Sequence, residues 1–333
     1  MRFELLDHLP DGYEALFARS SATAFQHPIW VRNFVRHLVP GRRAQAVFAC
    51  AFDGNELSGM VALTLRRKNG LRLLEAFDLG VCDYVAPVVA GNEDEVAHGL
   101  RSVLPRHDML RINNVRPEHA AFWEAFAGKA HEPAGFSAHA TSLAGTFMKW
   151  REASLDPSLA SQTKRKAKRW ARDADVRCER LAKGDAAKAV RTLACLRAGR
   201  FDGDPIQGTE TAAFYAAVAE EGADGFCETW ALKADGETAG LLLGITHRGA
   251  FHYLLIGCDY ERFARHSPGQ QLYERVIEDW MGRGGTSFDF TIGDEPFKRQ
   301  YGTIATPMSR FCVARTWPGR LGQIVLERRG QAA

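Results

Sequence analysis

The feature that most limits how this chain can fold is an internal repeat. Residues 47–84 read VFACAFDGNELSGMVALTLRRKNGLRLLEAFDLGVCDY, and residues 230–260 read WALKADGETAGLLLGITHRGAFHYLLIGCDY. Each begins with a β-rich run and turns at Asp-Gly, Asp53-Gly54 in one and Asp235-Gly236 in the other. A second run opens on a glycine (Gly59, Gly240), a second turn contains one (Gly70, Gly249), and a third run ends in Cys-Asp-Tyr. Glycine-bearing turns between apolar and β-branched runs are hairpin signals, because such turns use backbone angles that glycine adopts without steric cost. Both stretches therefore predict a three-stranded antiparallel meander. A shared tripeptide alone carries little weight. Its place at the end of two matched meanders makes duplication the better account.

The flanks extend the parallel. In the second half, 175–182 alternates like a strand, 185–201 and 209–222 have helical character, and the meander follows. A helix from Pro268 to Gly282 then places Leu272, Val276, Ile277, Trp280 and Met281 on one face. A strand at 286–292, a short helix at 295–301 and a strand at 308–316 complete this half. The first half gives a strand at MRFELL, a short helix near 11–19, a helix from Pro28 to Leu38, the meander, a helix at 93–104 and a strand at 108–115. The order βααβββαβαβ occurs twice, which predicts an α/β chain with a mixed sheet, in two domains at 1–145 and 146–333. Asp156-Pro157 marks a helix start near the junction, since proline suits the first turn. The last few residues are expected to fray.

Composition narrows the class. A chain of 333 residues with 46% hydrophobic and 25% charged residues has the make-up of two ordinary globular domains. A net charge of +3 gives no global field for nucleic acid or membrane. The seven cysteines (50, 82, 178, 195, 227, 258, 312) form no C-x-x-C pair and no zinc spacing with histidine, so no metal is expected. Their odd number favours a reducing compartment. The acids within the N-terminal stretch do not suit a signal peptide, and no run approaches the roughly 18 apolar residues of a membrane span. The expectation is a soluble, cytoplasmic protein.

The order βααβββαβαβ resembles the GNAT fold of N-acyltransferases. Residues 267–302 resemble the C-terminal signature of bacterial acetyltransferases once labelled CelD-type proteins of cellulose biosynthesis. The matching pieces are Ser267-Pro268-Gly269, Phe288-Asp289-Phe290, Gly293-Asp294-Glu295, Phe297-Lys298 and Tyr301-Gly302. HPIWVRNF (27–34) and CDYVAP (82–87) are also similar to that group. The tandem arrangement resembles the Fem peptidoglycan aminoacyltransferases. The resemblance implies an acyl-CoA co-substrate, acetyl-CoA or longer, and direct attack of an amine on the thioester.

The residues offer places for that chemistry. A helix N-terminus with a tight turn supplies free N–H donors and a positive dipole end for a pyrophosphate. Ser267, Pro268, Gly269, Gln270, Gln271 and Leu272 form such a start, with His266-x-x-Gly269-x-Gln271 in place of the usual GNAT pattern Gln/Arg-x-x-Gly-x-Gly/Ala. The plain alternative is an ordinary Pro-Gly helix start. The matching stretch of the first half, 88–100, puts Asp94 and Glu95 there, and like charge repels a phosphate. The first copy is thus expected to serve as scaffold or substrate wall, with the working site in the second half. GNAT folds splay the two strands beside the cofactor, here 251–259 and 287–293, so that pantetheine can pair with exposed backbone. Backbone N–H groups near Ile256, Gly257 and Cys258 are candidates for the oxyanion.

Asp289 is a candidate base on the strand face opposite Phe288 and Phe290. Asp294 follows the strand, where a helix-start acid is the alternative. Lys298 and Tyr301 lie three apart on one helix face and are candidates to hold an anion and donate a proton; a solvated lysine and a packing tyrosine are the alternatives. His252, Asp83 and Tyr84 are candidate substrate contacts, against a satisfied strand histidine and a shared structural turn.

Residues 164–172 carry six basic groups and no acid. A solvated helix face competes there with capture of a nucleotide sugar, a lipid head group or a membrane surface. The expected reaction is N-acylation of an amine on an envelope or exopolysaccharide precursor, such as an amino sugar. A small-molecule or lipid-linked acceptor, an acyl carrier protein and peripheral membrane contact are the expected partners; DNA is not. Acylation of a long-chain amine, tRNA-dependent aminoacyl transfer and non-catalytic ligand binding stand as alternatives.

Overall fold

A computed structural model describes the backbone of residues 1–330 and the side chains of residues 1–324; the expected fraying of the last residues lies outside them. The first half runs β1 (Arg2–Leu6), α1 (Tyr13–Arg19), α2 (Pro28–Asn33), α3 (Val39–Gly41), β2 (Ala44–Asp53), β3 (Glu56–Lys68), β4 (Leu71–Ala76), β5 (Val88–Val89), α4 (Glu93–Ser102), β6 (Met109–Val115), α5 (Ala120–Ala127) and β7 (Glu132–Ser142). Next come α6 (Phe147–Ser154), α7 (Pro157–Asp173), β8 (Val176–Arg180), α8 (Ala186–Arg197), α9 (Thr209–Gly222), β9 (Cys227–Ala234), β10 (Glu237–His247) and β11 (Ala250–Cys258). The chain continues through α10 (Tyr260–Phe263), α11 (Pro268–Gly282), β12 (Ser287–Ile292), α12 (Pro296–Arg299), β13 (Ile304–Ala314) and α13 (Trp317–Gly330).

Both meanders form as antiparallel hairpins, β2-β3-β4 and β9-β10-β11. The strand after each crossover helix returns parallel to the third meander strand, β6 to β4 and β12 to β11. The chain forms two compact units. One holds Met1–Phe136 and the chain from Thr306 onward; the other is Ser137–Ala305. In the first unit the strand order is β1-β2-β3-β4-β6-β13, with β5 on β3; in the second it is β7-β12-β11-β10-β9-β8. The closing strand of each sequence half therefore joins the other unit. The expected junction at 145/146 falls in the β7–α6 loop of the second unit.

The core of the second unit follows from the stripe on α11. Leu272, Val276 and Ile277 are fully buried against Phe251, Phe288, Phe290 and Leu242. Each such side chain stabilises the fold by about 1.5–3 kcal/mol. Phe251 and Phe288 stack with centroids 5.1 Å apart. A Cβ on Gly244 would lie 2.2 Å from the Phe251 ring, so glycine is required there. The Asp156 carboxylate caps α7 by accepting from Leu159 N–H at 3.0 Å. The buried side of α7, Leu159, Thr163 and Trp170, follows at steps of four and seven.

Three segments differ from the sequence expectations. The helix expected over Pro28–Leu38 ends at Asn33 and loosens into a π-helical turn at Phe34–Leu38. Helix α5 was not legible, because FWEAF has aromatics on several faces and all of them bury. Strand β7 reads EPAGFSAHATS, with proline, glycine and no run of β-branched residues; its pairing with β12 holds it extended.

Candidate active site

Strands β11 and β12 stay paired only from Ala250↔Ser287 to His252↔Asp289. The cause of the parting is local. Asp289 Oδ1 accepts from Thr291 N–H at 2.7 Å, and Thr291 sits at φ 57, a left-handed conformation that a β-branched residue rarely takes. Thr291 Oγ1 then donates to Tyr253 O at 3.2 Å. Beyond this point β11 pairs with β10 alone. Ile256 O accepts from Arg197 Nη1 at 2.9 Å, and Cys258 O from Arg200 Nη1 at 3.4 Å, so both carbonyls face away from β10. The N–H of a strand residue points to the same side as its C=O. The Ile256 and Cys258 amides therefore face this open edge. Gly257 points elsewhere: a Cβ there would lie 2.9 Å from Leu193 O, so glycine lets α8 pack on the strand.

His252 and Asp289 sit where the strands part, on the sheet face opposite Phe251 and Phe288. His252 is 8% exposed and Asp289 3%, with Nδ1 and Oδ2 3.2 Å apart. The pair joins two residues to which the sequence assigned separate roles. Arg197 is held by Asp204 in two bonds, 2.8 and 3.1 Å. Asp204 is buried, so this guanidinium is fixed on the β11 edge. Sequence reading missed both residues, since helix periodicity places Arg197 in the last turn of a helix and says nothing of what it faces. Burial pushes the Cys258 thiol up to about 12, which makes it a packing group rather than a nucleophile.

The start of α11 keeps its donors available. Ser267, at φ 52, precedes Pro268, and Gln271 N–H bonds back to Ser267 O at 3.2 Å. The amides of Gly269 and Gln270, ahead of the first helical bond, are the free N-terminal donors. Gln270 Oε1 is buried with no hydrogen-bond partner among the described residues. Gly269 is buried beneath Tyr260, whose hydroxyl would lie 2.9 Å from a Cβ; Arg200 stacks on the Tyr260 ring at 4.0 Å. The basic run on α7 meets this helix start. Lys166 Nζ donates to Ser267 Oγ at 2.6 Å, and Gln271 Nε2 to Thr163 O at 2.9 Å. Lys164, Arg165, Lys168, Arg169 and Arg172 stay exposed. His266 stacks on Trp170 at 4.8 Å and accepts from Arg265 Nε at 2.8 Å. Burial, and then the Arg265 charge, lower its pKa, so it stays neutral at physiological pH. Lys166 on Ser267 and Arg200 on the Tyr260 ring thus bring cations to the free helix amides, which fits a pyrophosphate-bearing ligand, while Arg265 pairs with Asp173 at 3.7 Å. Leu272 does not belong to this set: it is fully buried in the core, and its amide lies past the first turn.

Other expected roles are corrected by burial and bonding. Lys298 is 2% exposed and donates to Ile292 O at 2.6 Å, Gly293 O at 2.9 Å and Thr291 O at 3.4 Å. Its ammonium is saturated by the loop it clamps, so it holds no ligand anion. Tyr301 does not share a helix with it, because α12 ends at Arg299. The Tyr301 ring lies in the core against Phe290 and Tyr273, and its buried hydroxyl has no hydrogen-bond partner among the described residues. Asp294 accepts from His139 Nε2 at 2.8 Å and from Ser137 N–H at 3.2 Å. The bond to His139 lowers its pKa, which makes it a weak base. Tyr84 is 1% exposed, packed edge-on to Phe25 and under Arg116 within the first unit, and so presents no surface to a substrate. Asp83 is half-buried in the same loop.

The first unit departs from this plan at each corresponding place. Three acids, Glu93, Asp94 and Glu95, fill the first turn of α4, and Asn92 caps its amides. Val85 N–H donates to Asn114 O at 3.0 Å, so the chain's own loop bonds to β6 past the end of its pairing with β4. The cross-strand pair equivalent to His252↔Asp289 is Glu75↔Arg111. In both units it follows a fully buried apolar pair, Phe251↔Phe288 or Leu74↔Leu110, and turns to the opposite face.

Two consecutive meanders, parallel strands that part beyond a short ladder, and a crossover helix whose start packs beside Ile256 and Cys258 of β11 define a tandem GNAT fold. Residues 158–299 match the family model of the acetyltransferase (GNAT) domain, which supports GNAT-type acyltransferase activity. No curated protein matches the chain in sequence. Among solved structures the chain is similar to FemX, at 11% identity over 93% of this chain and 97% of that one, with a TM-score of 0.63. It is also similar to L-PGS from Bacillus licheniformis, at 12% identity over 96% of each chain and a TM-score of 0.60. A tandem GNAT protein from the clavulanic acid biosynthesis pathway aligns at 11% identity over 94% of this chain and 98% of that one, TM-score 0.50. At these identities the likeness concerns the fold.

Proposed function

We propose that this protein is a cytoplasmic, acyl-CoA-dependent N-acyltransferase whose second unit carries the reaction. We assign its acceptor to amines of envelope or exopolysaccharide precursors, on the resemblance of residues 267–302 to CelD-type acetyltransferases. The observation that carries the proposal is the parting of β11 from β12 at His252 and Asp289, with open strand amides on one side and the α11 start in the same unit. Coenzyme A supplies an activated thioester. The Gly269 and Gln270 amides with Lys166 hold its phosphates, and the β11 edge from Leu254 to Cys258 receives the pantetheine. The Ile256 and Cys258 amides take the charge that develops on the carbonyl oxygen.

In this proposal His252 is the general base and Asp289 holds its ring in place. The acceptor nitrogen forms a bond to the acyl carbon and gives one proton to His252, while the carbon–sulfur bond breaks. The departing thiolate takes a proton from solvent, and His252 gives its own proton back to solvent. Transfer is direct, in keeping with a buried, weakly acidic Cys258.

Thermal unfolding with acetyl-CoA and longer acyl-CoAs tests the donor. A ligand at 100 times its Kd adds about 2.7 kcal/mol to stability. A stabilisation that depends on acyl length, together with amine-dependent release of free thiol, supports the proposal. No stabilisation by any acyl-CoA rejects it. Turnover only with an aminoacyl-tRNA reassigns the donor.

A further inference from the structure

The first unit carries three acids and a capping Asn92 at the helix start that corresponds to that of α11, and it holds a cavity at the place equivalent to the His252–Asp289 site. A polar pocket of about 310 Å³ lies over Glu75 and Arg111, with Arg42, Arg66, Lys68 and Asp78 around it. Beside it lies an apolar groove of about 340 Å³ formed by Leu71, Leu73, Met109, Trp317, Pro318 and Leu321. Lys68 and Arg111 line both. Each volume falls within the range of small-molecule sites, and the mixture of an apolar wall with a few converging charges is typical of them.

The charges are arranged for an anion. Glu75 is bridged by Arg66 Nε at 2.5 Å and Arg111 Nη1 at 3.1 Å, so its charge is already matched. Asp78 is already engaged, accepting from Gly80 N–H at 3.0 Å and from Asn113 Nδ2 at 3.4 Å. Arg42 and Lys68 make no ion pair among the described residues. Four cations against two acids leave the pocket positive where it meets the groove. The groove is open: Trp317 is 72% exposed and Leu321 48%. Exposing a tryptophan and a leucine together on one helix, over an apolar strand surface, is costly unless something covers them.

We propose that the first unit binds a single-chain anionic amphiphile, its head between Lys68 and Arg111 and its chain along Leu71, Leu73, Met109, Trp317 and Leu321. Charge complementarity selects the head, and the adjoining groove selects one alkyl chain. The site is distinct from the acyl-transfer site and does not depend on the reaction assigned to the second unit.

Isothermal calorimetry on the full chain, with dodecyl phosphate below its micelle concentration, tests the proposal. Saturable binding is expected, at least tenfold tighter than inorganic phosphate and at least tenfold tighter than dodecanol. Lys68→Glu and Trp317→Ala, both at exposed positions, should each weaken it by tenfold or more with the unfolding midpoint unchanged. Dodecanoate binding as well as dodecyl phosphate identifies a fatty acid as the ligand, and preference for the phosphate identifies a phospholipid-like head; either outcome supports the site. Inorganic phosphate binding equally well reduces it to an anion patch and overturns the proposal. Dodecanol binding equally well, or full affinity in both variants, overturns it too. So does binding to phosphatidylglycerol vesicles with none to monomeric dodecyl phosphate.

Discussion

His252 on β11 and Asp289 on β12 are the last residues paired across these strands, and their side chains meet at 3.2 Å on the face away from the α11 core. A base at the fork of the sheet can reach an amine only from that face, and in the proposed reaction the donor thioester would lie in the gap itself. Replacing His252 by Ala is expected to lower kcat by about 10²–10⁴-fold, the usual worth of general base catalysis. Acyl-CoA affinity should stay within twofold, read by calorimetry alongside the rate. Asp289→Asn should fall between the parent and the His252 variant. An undiminished kcat in His252→Ala removes the base from this site.

Lys166 lies at the start of α11, where its Nζ donates to Ser267 Oγ at 2.6 Å. Lys166→Glu should weaken acyl-CoA binding more than tenfold by placing an anion beside the phosphates. Turnover of a truncated thioester lacking the nucleotide should be unaffected. Equal losses with both donors would mean a general structural defect.

Lys298 shows the opposite behaviour. Its ammonium saturates carbonyls of the β12–α12 loop, and Lys298→Met should cost roughly 1–3 kcal/mol through buried carbonyls left without donors. Urea unfolding measures this cost. A variant of unchanged stability with lost turnover would return Lys298 to the chemistry.

Tyr301 separates packing from catalysis by a single atom. Its buried hydroxyl has no partner among the described residues, so Tyr301→Phe removes an unsatisfied group and should leave the unfolding midpoint equal or higher. If the hydroxyl protonates the departing thiolate, kcat falls tenfold or more in the same variant. Unchanged kcat assigns the ring to packing alone.

Asp108 gives a pH signature of the first unit. Hydrogen bonds from Arg72, and then from the Thr316 hydroxyl, hold its carboxyl at about 2, against an ordinary 3.8. A folded pKa below the unfolded one stabilises the native state fully above the unfolded value. That contribution is lost as pH falls through the folded value. Asp108→Asn should therefore be less stable than the parent at neutral pH, and the gap should close between about pH 4 and pH 2. A gap that persists at the lowest pH would mean that packing, not charge, carries the effect.

Much was legible in the sequence because it is local. Turn glycines fixed both meanders, a spaced apolar stripe fixed α11 from Pro268 to Gly282, and Asp156-Pro157 fixed the start of α7. The charge contrast between the two crossover helices was also written in the chain, as three acids at Glu93 to Glu95 against none at Pro268 to Gln271.

What only the tertiary structure decided depends on residues distant in sequence. Strand β7 has weak strand character and becomes a strand because β12 supplies its partner. Strand β13 reads as the end of the second half yet pairs with β6 in the first unit, since a strand goes where an open edge meets its apolar face. Side-chain pattern marks Asp289, Lys298 and His252 alike as polar residues near a strand end. Register joins His252 to Asp289, and burial saturates Lys298. The sequence by itself determined two copies of one topology and their unequal charge. Tertiary packing decided which polar groups stayed available for chemistry, because availability is what remains after every other group has found its partner.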